Sequence, residues 1–191
     1  MNKNKIEDYV LKAESVLPSK LCKDLIKDLN KDKKNWTTHK WHSRSTGNYG
    51  YKSGKKELFN CYLGNDHSGE VMKILWTVIE SYIKKFNYKW FDSWTAYSPV
   101  RFNIYKKGKT MADHCDHIGT LFDGQTKGIP ILSVLGTLNT DYEGGEFIMF
   151  GNKKYKLKQG DILVFPSNFL YPHRVDPVTK GTRYSYISWV W

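Results

Sequence analysis

Residues 161–191 read DILVFPSNFLYPHRVDPVTKGTRYSYISWVW, and this stretch decides how the chain folds. Its apolar and aromatic runs at 161–166, 171–175 and 182–191 are short and separated by polar and proline-containing breaks, so each reads as a strand. The same grain continues upstream, with strands expected at 154–158, 145–150, 130–138, 112–118 and 99–106. Glycine-containing breaks punctuate them at Gln159-Gly160, Gly151-Asn152, Gly144-Gly145, Asp123-Gly124 and Lys107-Gly108. Many short strands at this spacing predict an antiparallel sandwich or jelly roll.

The pattern differs towards the N-terminus. Residues 9–17 (YVLKAESVL) read as a strand, and Pro18-Ser19 then open a helix with Leu21, Cys22, Leu25, Ile26 and Leu29 on one face. A second helix is expected from Ser68, read as its N-cap, to about Phe86. Its stripe is Val71, Leu75, Val78, Ile79, Tyr82 and Phe86. Between the helices, residues 31–56 are lysine-rich, with Trp36, Trp41, Tyr49 and Tyr51 interspersed: either a lid over a substrate or a segment without a defined role. The chain of 191 residues is thus expected to be one mostly β domain. Residues 1–98 supply buttressing helices and a basic loop, and residues 99–191 the catalytic core.

The charge is uneven. Residues 1–60 carry 14 Lys/Arg against 7 Asp/Glu, which places +7 of the formal +11 in the first third. That bias admits an acidic partner or a polyanion, or simply a well-solvated surface. No run approaches the roughly 20 apolar residues of a membrane helix, and MNKNKIEDYV has no secretory apolar core, so a cytoplasmic address is expected. Cys22, Cys61 and Cys115 are odd in number and far apart, which predicts reduced thiols rather than a disulfide framework.

The chemistry is carried by His114-Cys115-Asp116. On a strand, residues i and i+2 share a face, so an imidazole and a carboxylate can reach one metal ion. Alone such a pair is weak. His173 supplies a third ligand, beyond a glycine turn and the strand 161–165, which is expected to lie beside the first ligand strand. Two His and one carboxylate form the facial triad of non-haem iron(II). Arg183, ten residues after His173, offers a two-pronged partner for the far carboxylate of a metal-chelating keto acid. His117 is offset by three from His114 and faces away. His39 and His42 in the basic loop are read as solvated, Cys115 as a small filler between ligands, and Trp189 and Trp191 as core residues.

Residues 99–191 resemble the catalytic core of the 2-oxoglutarate oxygenases that hydroxylate prolyl and lysyl side chains. The similarity lies in Tyr105-Lys106-Lys107-Gly108, in Tyr142-Glu143-Gly144-Gly145-Glu146-Phe147, and in the tail from His173 to Trp189. Pro177-Val178-Thr179-Lys180-Gly181-Thr182-Arg183-Tyr184 is similar to lysyl hydroxylases, and His173-Arg174-Val175 to prolyl hydroxylases as well. The resemblance implies a double-stranded β-helix, iron(II), 2-oxoglutarate and dioxygen, with ascorbate as a candidate reductant. It implies His114, Asp116 and His173 as metal ligands, Arg183 as the cosubstrate anchor and Tyr105 as a hydroxyl donor to it. Thr137 stands where many prolyl hydroxylases carry a second cosubstrate-contacting Tyr. The expected substrate is a protein or peptide, with proline ahead of lysine. The competing readings are an oxygenase of a nucleic acid or a small molecule, drawing on the basic first third, and a binding domain that has kept the fold without the activity.

Overall fold

The computed structural model describes residues 5–42, 49–50, 56–87, 96–116 and 129–191. Along the chain these form β1 (Leu11–Ala13), α1 (Ser19–Lys31), β2 (Thr37–Thr38), β3 (Trp41–His42), β4 (Tyr49–Gly50), β5 (Phe59–Cys61), α2 (Asp66–Phe86), β6 (Arg101–Lys106), β7 (Met111–His114) and β8 (Leu132–Thr137). There follow β9 (Glu143–Gly144), β10 (Phe147–Met149), β11 (Lys153–Tyr155), β12 (Ile162–Pro166), β13 (His173–Val175), β14 (Val178–Lys180) and β15 (Thr182–Val190).

Seven strands make the larger sheet in the order β1-β12-β8-β15-β6-β5-β2, and four make the smaller one, β11-β10-β13-β7. Neighbouring strands in both sheets are antiparallel. The period-2 alternation of side chains assigns each sheet residue to one of two cores. On one face of the larger sheet, Phe102, Ile104, Val134 and Tyr186 pack with Leu21, Leu25 and Leu29 of α1 and Val71, Leu75, Ile79 and Tyr82 of α2. On the other face, Tyr105, Leu135, Leu163, Phe165 and Ile187 meet Phe147, Met149 and Val175 of the smaller sheet. The result is the jelly roll read from the sequence, with both helices backing its larger sheet. Every residue of β8 is buried because that strand lies inside the sheet, covered on both faces. Full burial of a side chain such as Leu25 contributes roughly 1.5–3 kcal/mol.

The N-terminal part does more than buttress. β1 and β5 extend the larger sheet on opposite flanks, pairing with β12 and β6. β1 is shorter than the strand expected over 9–17, because Ile6–Tyr9 is a 3-10 turn and Ser15 is left-handed (φ 53°). The short strands β2, β5, β9 and β14 have no sequence signal of their own; their pairing depends on the strands beside them. α2 starts earlier than the Ser68 reading: Asn65 is the N-cap, its side chain accepting from the Ser68 backbone N–H at 3.0 Å. Ser68 is the reciprocal member of that capping box, its hydroxyl accepting from the Asn65 N–H at 3.3 Å. The break at Asp123-Gly124 and His117 lie outside the described residues, as does Tyr51 of the aromatic loop.

Replacing Asn65 with Ala should therefore lower stability by about 1 kcal/mol in urea unfolding, with metal affinity unchanged because α2 lies behind the sheet. A cost confined to Ser68→Ala would return the cap to Ser68.

Candidate metal and cosubstrate site

β7 and β13 are neighbours, and their register sets His114 opposite His173. The two rings lie 4.3 Å apart between centroids. The His114 Nδ1 is 2.8 Å from the Ala112 carbonyl oxygen, and the His173 Nδ1 is 3.0 Å from that of Tyr171. A carbonyl only accepts, so each Nδ1 carries the hydrogen and each Nε2 keeps its lone pair. Both lone pairs are presented to Asp116: His114 Nε2 lies 3.4 Å from Asp116 Oδ1, and His173 Nε2 lies 3.7 Å from Oδ2.

Asp116 does not sit on the strand, which ends at His114; it follows in a bend. Its position is fixed from the facing sheet. Ser133 on β8 donates to Asp116 Oδ2 at 2.7 Å, and the Ser167 hydroxyl lies 2.7 Å from that of Ser133. The strand expected beside the first ligand strand, β12, lies instead in the larger sheet between β1 and β8; the partner of β7 is β13 itself. Neither serine carries a motif signal, and only the cross-sheet approach reveals them.

The three side chains fit a six-coordinate ion. With bonds of roughly 2.1 Å, neighbouring vertices of an octahedron are roughly 3 Å apart and opposite ones roughly 4.2 Å. The separations of 3.4 and 3.7 Å run to the two different oxygens of Asp116, and one donor atom from each residue lies within 4.8 Å of the others, so all three converge on a space one ion can occupy. Among the described residues this is the one group of three His, Cys, Asp or Glu side chains arranged to hold a metal. Electrostatics agree. Burial by itself pushes the Asp116 carboxyl up, but the His173 and His114 imidazoles and the Ser133 hydroxyl outweigh it and hold the group well below the usual carboxylate range. Burial lowers His173 to about 4 against the opposing pull of Asp116, so its ring is neutral and ready to ligate at neutral pH.

Arg183 on β15 is 1% exposed, the bulkiest of the fully buried side chains. Its Nη1 donates to the Ser185 hydroxyl at 2.8 Å, its Nε has no partner, and it forms no ion pair with a carboxylate of the described residues, although Glu146 lines the same cavity. A guanidinium buried without a counter-ion is costly, so the position fits an anion. Arg183 and the triad open onto adjoining cavities: Tyr105 lines the one with the ligands, and the Arg183 guanidinium lies 4.9 Å over the Tyr105 ring. Phe147 is common to both. Tyr105 is thus placed between the His-Asp-His group and Arg183, its hydroxyl pushed up by burial against the lowering effect of Arg183. Thr137 pairs with Ser185 across β8 and β15, and its hydroxyl is buried and unpartnered. It is a candidate for the second hydroxyl donor. Gly145 makes room for Arg183: its φ is +65°, and a Cβ there would lie 3.1 Å from Arg183 Cδ and 2.9 Å from Val178 Cγ2.

The remaining sequence expectations divide. His39 is buried rather than solvated; burial lowers it to about 4, its Nε2 is unpartnered, and it packs edge-on against Trp41. Trp41 in turn packs edge-on against His114 at 5.2 Å, so the aromatic loop does reach the site. The His42 side chain lies outside the described residues. Cys115 lies between the ligands, its thiol pushed up by burial and 3.6 Å from the Phe169 carbonyl. Trp189 is half-buried against the inter-sheet core.

Comparison with known proteins agrees with this geometry. Residues 100–191 match the family model of the 2OG-Fe(II) oxygenase superfamily, where 2OG is 2-oxoglutarate. This part of the chain is similar to that superfamily. Curated relatives include PKHD-type hydroxylases of Idiomarina loihiensis, 40% identical over 94 residues, and Delftia acidovorans, 39% identical over 99 residues. Those alignments cover 48% of this chain in both cases, and 41% and 42% of the relatives, so the chain matches less than half the length of either. The whole fold is similar to a viral collagen prolyl hydroxylase from Paramecium Bursaria Chlorella virus-1 solved with 2OG: TM-score 0.69, 18% identity, 95% of each chain. It is also similar to a Trichoplax adhaerens prolyl hydroxylase in complex with a hypoxia inducible factor peptide fragment: TM-score 0.70, 19% identity, 95% of this chain and 83% of that one. At such identities the likeness shows the jelly-roll fold. Iron(II) and 2-oxoglutarate are the cofactors of this superfamily, and the side chains present fit both.

Two outcomes are expected. Ser133→Ala should leave the fold intact and weaken metal binding about ten- to a hundredfold, since the carboxylate loses its orienting donor; titration with manganese(II) reads this directly. In the metal-free protein His39 and His173 protonate near pH 4, well below the ordinary value of 6.5. The unfolded chain therefore takes up protons first, and stability should fall as pH drops from about 6.5 towards 4. Urea midpoints at pH 7 and 5 measure this, and His39→Leu should shrink the difference.

Proposed function

We propose that the chain is an iron(II)- and 2-oxoglutarate-dependent hydroxylase of peptidyl side chains, with proline the favoured target. One observation carries the reading: a convergent His-His-carboxylate set stands beside a fully buried arginine that has no counter-ion of its own. His114, Asp116 and His173 would hold the metal on one face, leaving the other coordination positions to cosubstrate and oxygen. Bound iron(II) would activate dioxygen, the oxidant, whose two atoms would end in the hydroxylated side chain and in succinate as 2-oxoglutarate is oxidised and loses carbon dioxide.

The chain's own part is binding, orientation and exclusion of water. Arg183 receives the distal carboxylate of 2-oxoglutarate, with the hydroxyls of Tyr105 and Thr137 as neighbouring donors. Leu135, Phe147, Phe165 and Ile187 give the cavity an apolar side, which limits water at the reacting centre. The rim suits a peptide. Phe169 is 73% and Leu170 44% exposed just ahead of His173, and the contact between Cys115 and the Phe169 carbonyl ties that rim to the ligand turn. Exposed apolar side chains beside a catalytic cavity fit an extended chain better than a small polar metabolite.

Saturating manganese(II) with 2-oxoglutarate should raise the thermal midpoint, since both recognise only the folded site. Asp116→Ala should abolish succinate formation in a folded protein. Arg183→Lys should cost about ten- to a hundredfold in 2-oxoglutarate affinity, the worth of one charge-assisted hydrogen bond, and Arg183→Ala more, with metal affinity nearly unchanged in both. Wild-type cosubstrate affinity in Arg183→Ala would mean that another residue is the anchor. Mass spectrometry of peptides treated with the enzyme identifies the residue that gains an oxygen.

A further inference from the structure

We propose that Arg101 reads the substrate, receiving a carboxylate that flanks the hydroxylated residue, so that the preferred substrates are acidic peptides. This rests on the peptide-hydroxylase reading above and narrows it.

Three arginines are described apart from those outside the described residues: Arg101, Arg174 and Arg183. Arg174 is paired with Asp176 at 3.0 Å. Arg183 has its proposed use as the cosubstrate anchor. Arg101 begins β6 and shares a face with Asn103 and Tyr105, and all three line the cavity that holds His114, Asp116 and His173. Its guanidinium lies 4.8 Å over the Trp189 ring, a stacking contact that orients the planar group without neutralising it. Its Nε is buried without a hydrogen-bond partner, and no carboxylate of the described residues pairs with it.

Charge counting isolates this cation. With cofactors bound, the two positive charges of iron(II) are matched by Asp116 and the chelating carboxylate of 2-oxoglutarate. Arg183 is matched by the distal carboxylate. Among the described residues Arg101 is left with one unmatched positive charge beside the reacting centre, in a cavity that it shares with Asn103, Tyr105 and the apolar Leu135, Phe147, Phe165 and Ile187. In such surroundings an unpaired cation attracts an anion more strongly than it would in water. Asn103, two residues along the same strand face, adds a side-chain carbonyl oxygen that is buried and lacks a donor. A peptide can satisfy both, its N–H donating to Asn103 and an Asp or Glu carboxylate pairing with Arg101 in the two-pronged geometry that guanidinium favours. The formal net charge of +11 would assist the approach of such a peptide.

The test uses the iron- and 2-oxoglutarate-loaded protein and a peptide library with a central proline or lysine flanked by Asp/Glu, by Asn/Gln or by Lys. The expected result is a KM about tenfold lower for acidic peptides than for their amide counterparts. Arg101→Gln should erase that difference by raising KM for the acidic set alone, Arg101→Lys should restore part of it, and Arg101→Glu should favour the lysine-flanked set. Fluorescence anisotropy of labelled peptides on the manganese(II)- and 2-oxoglutarate-loaded protein should show the same ranking without turnover. Hydroxylation indifferent to flanking charge, or an equal loss on all peptides in Arg101→Gln, overturns the role of Arg101 and leaves the hydroxylase reading standing. Should the arginine variants fail to fold, the wild-type ranking alone decides. A library in which no peptide binds or gains oxygen, while 2-oxoglutarate is still turned over, overturns the peptide reading and this inference with it.

Discussion

The site depends on the spacing between two sheets. His114 and His173 belong to the smaller sheet, where strand register alone sets them opposite each other. Each ring is oriented by the carbonyl two residues before it on its own chain. Asp116 is different: it follows the end of its strand, and its carboxylate is steadied by Ser133 from the larger sheet. The third ligand therefore points correctly only while the two sheets keep their distance. That distance is set by the aromatic and aliphatic side chains between them, among which Phe147 and Phe165 also pack against the His173 ring at 5.3 and 5.1 Å. A close-packed interior transmits small shifts, so packing and coordination geometry are one problem here.

The second core acts at longer range. α1 and α2 cover the back of the larger sheet and hold β6, β8 and β15 in a common surface. Those three strands carry Arg101, Asn103 and Tyr105, Ser133 and Thr137, and Arg183 and Ser185 on the face turned to the cavities. Register makes rows of them: Arg183 beside Tyr105, and Ser185 between Asn103 and Thr137. The polar groups that would meet cosubstrate and substrate are thus positioned by strand pairing and held flat by the helices packed on the opposite face of the sheet.

Several polar groups on this face have no partner. Arg183 Nε, Thr137 Oγ1, Asn103 Oδ1 and Arg101 Nε are all buried with none among the described residues. Buried polar groups normally find partners within the protein or in water, and leaving them unmatched costs stability. A concentration of them along one sheet face marks where the fold has given up stability to bind something else.

The sequence alone determined the strand-rich core and both helices, and it put forward His114, Asp116, His173 and Arg183, because each is written in local terms: periodicity, a turn residue, a ligand spacing; Tyr105 came from the family resemblance. Tertiary structure decided the rest. Ser133 and Ser167 are ordinary serines until the sheets meet. His39 reads as a solvated loop residue until its pairing with Leu58 buries it, and β12 reads as the neighbour of β7 until it joins the other sheet. Whether Arg101 is one more surface cation or a charge enclosed beside the metal ligands is likewise absent from its neighbours in the chain. Local composition fixes what a residue is and which face of a strand it takes. What that face meets is fixed by partners distant in sequence, and burial, pKa and unmet hydrogen bonds all follow from that meeting.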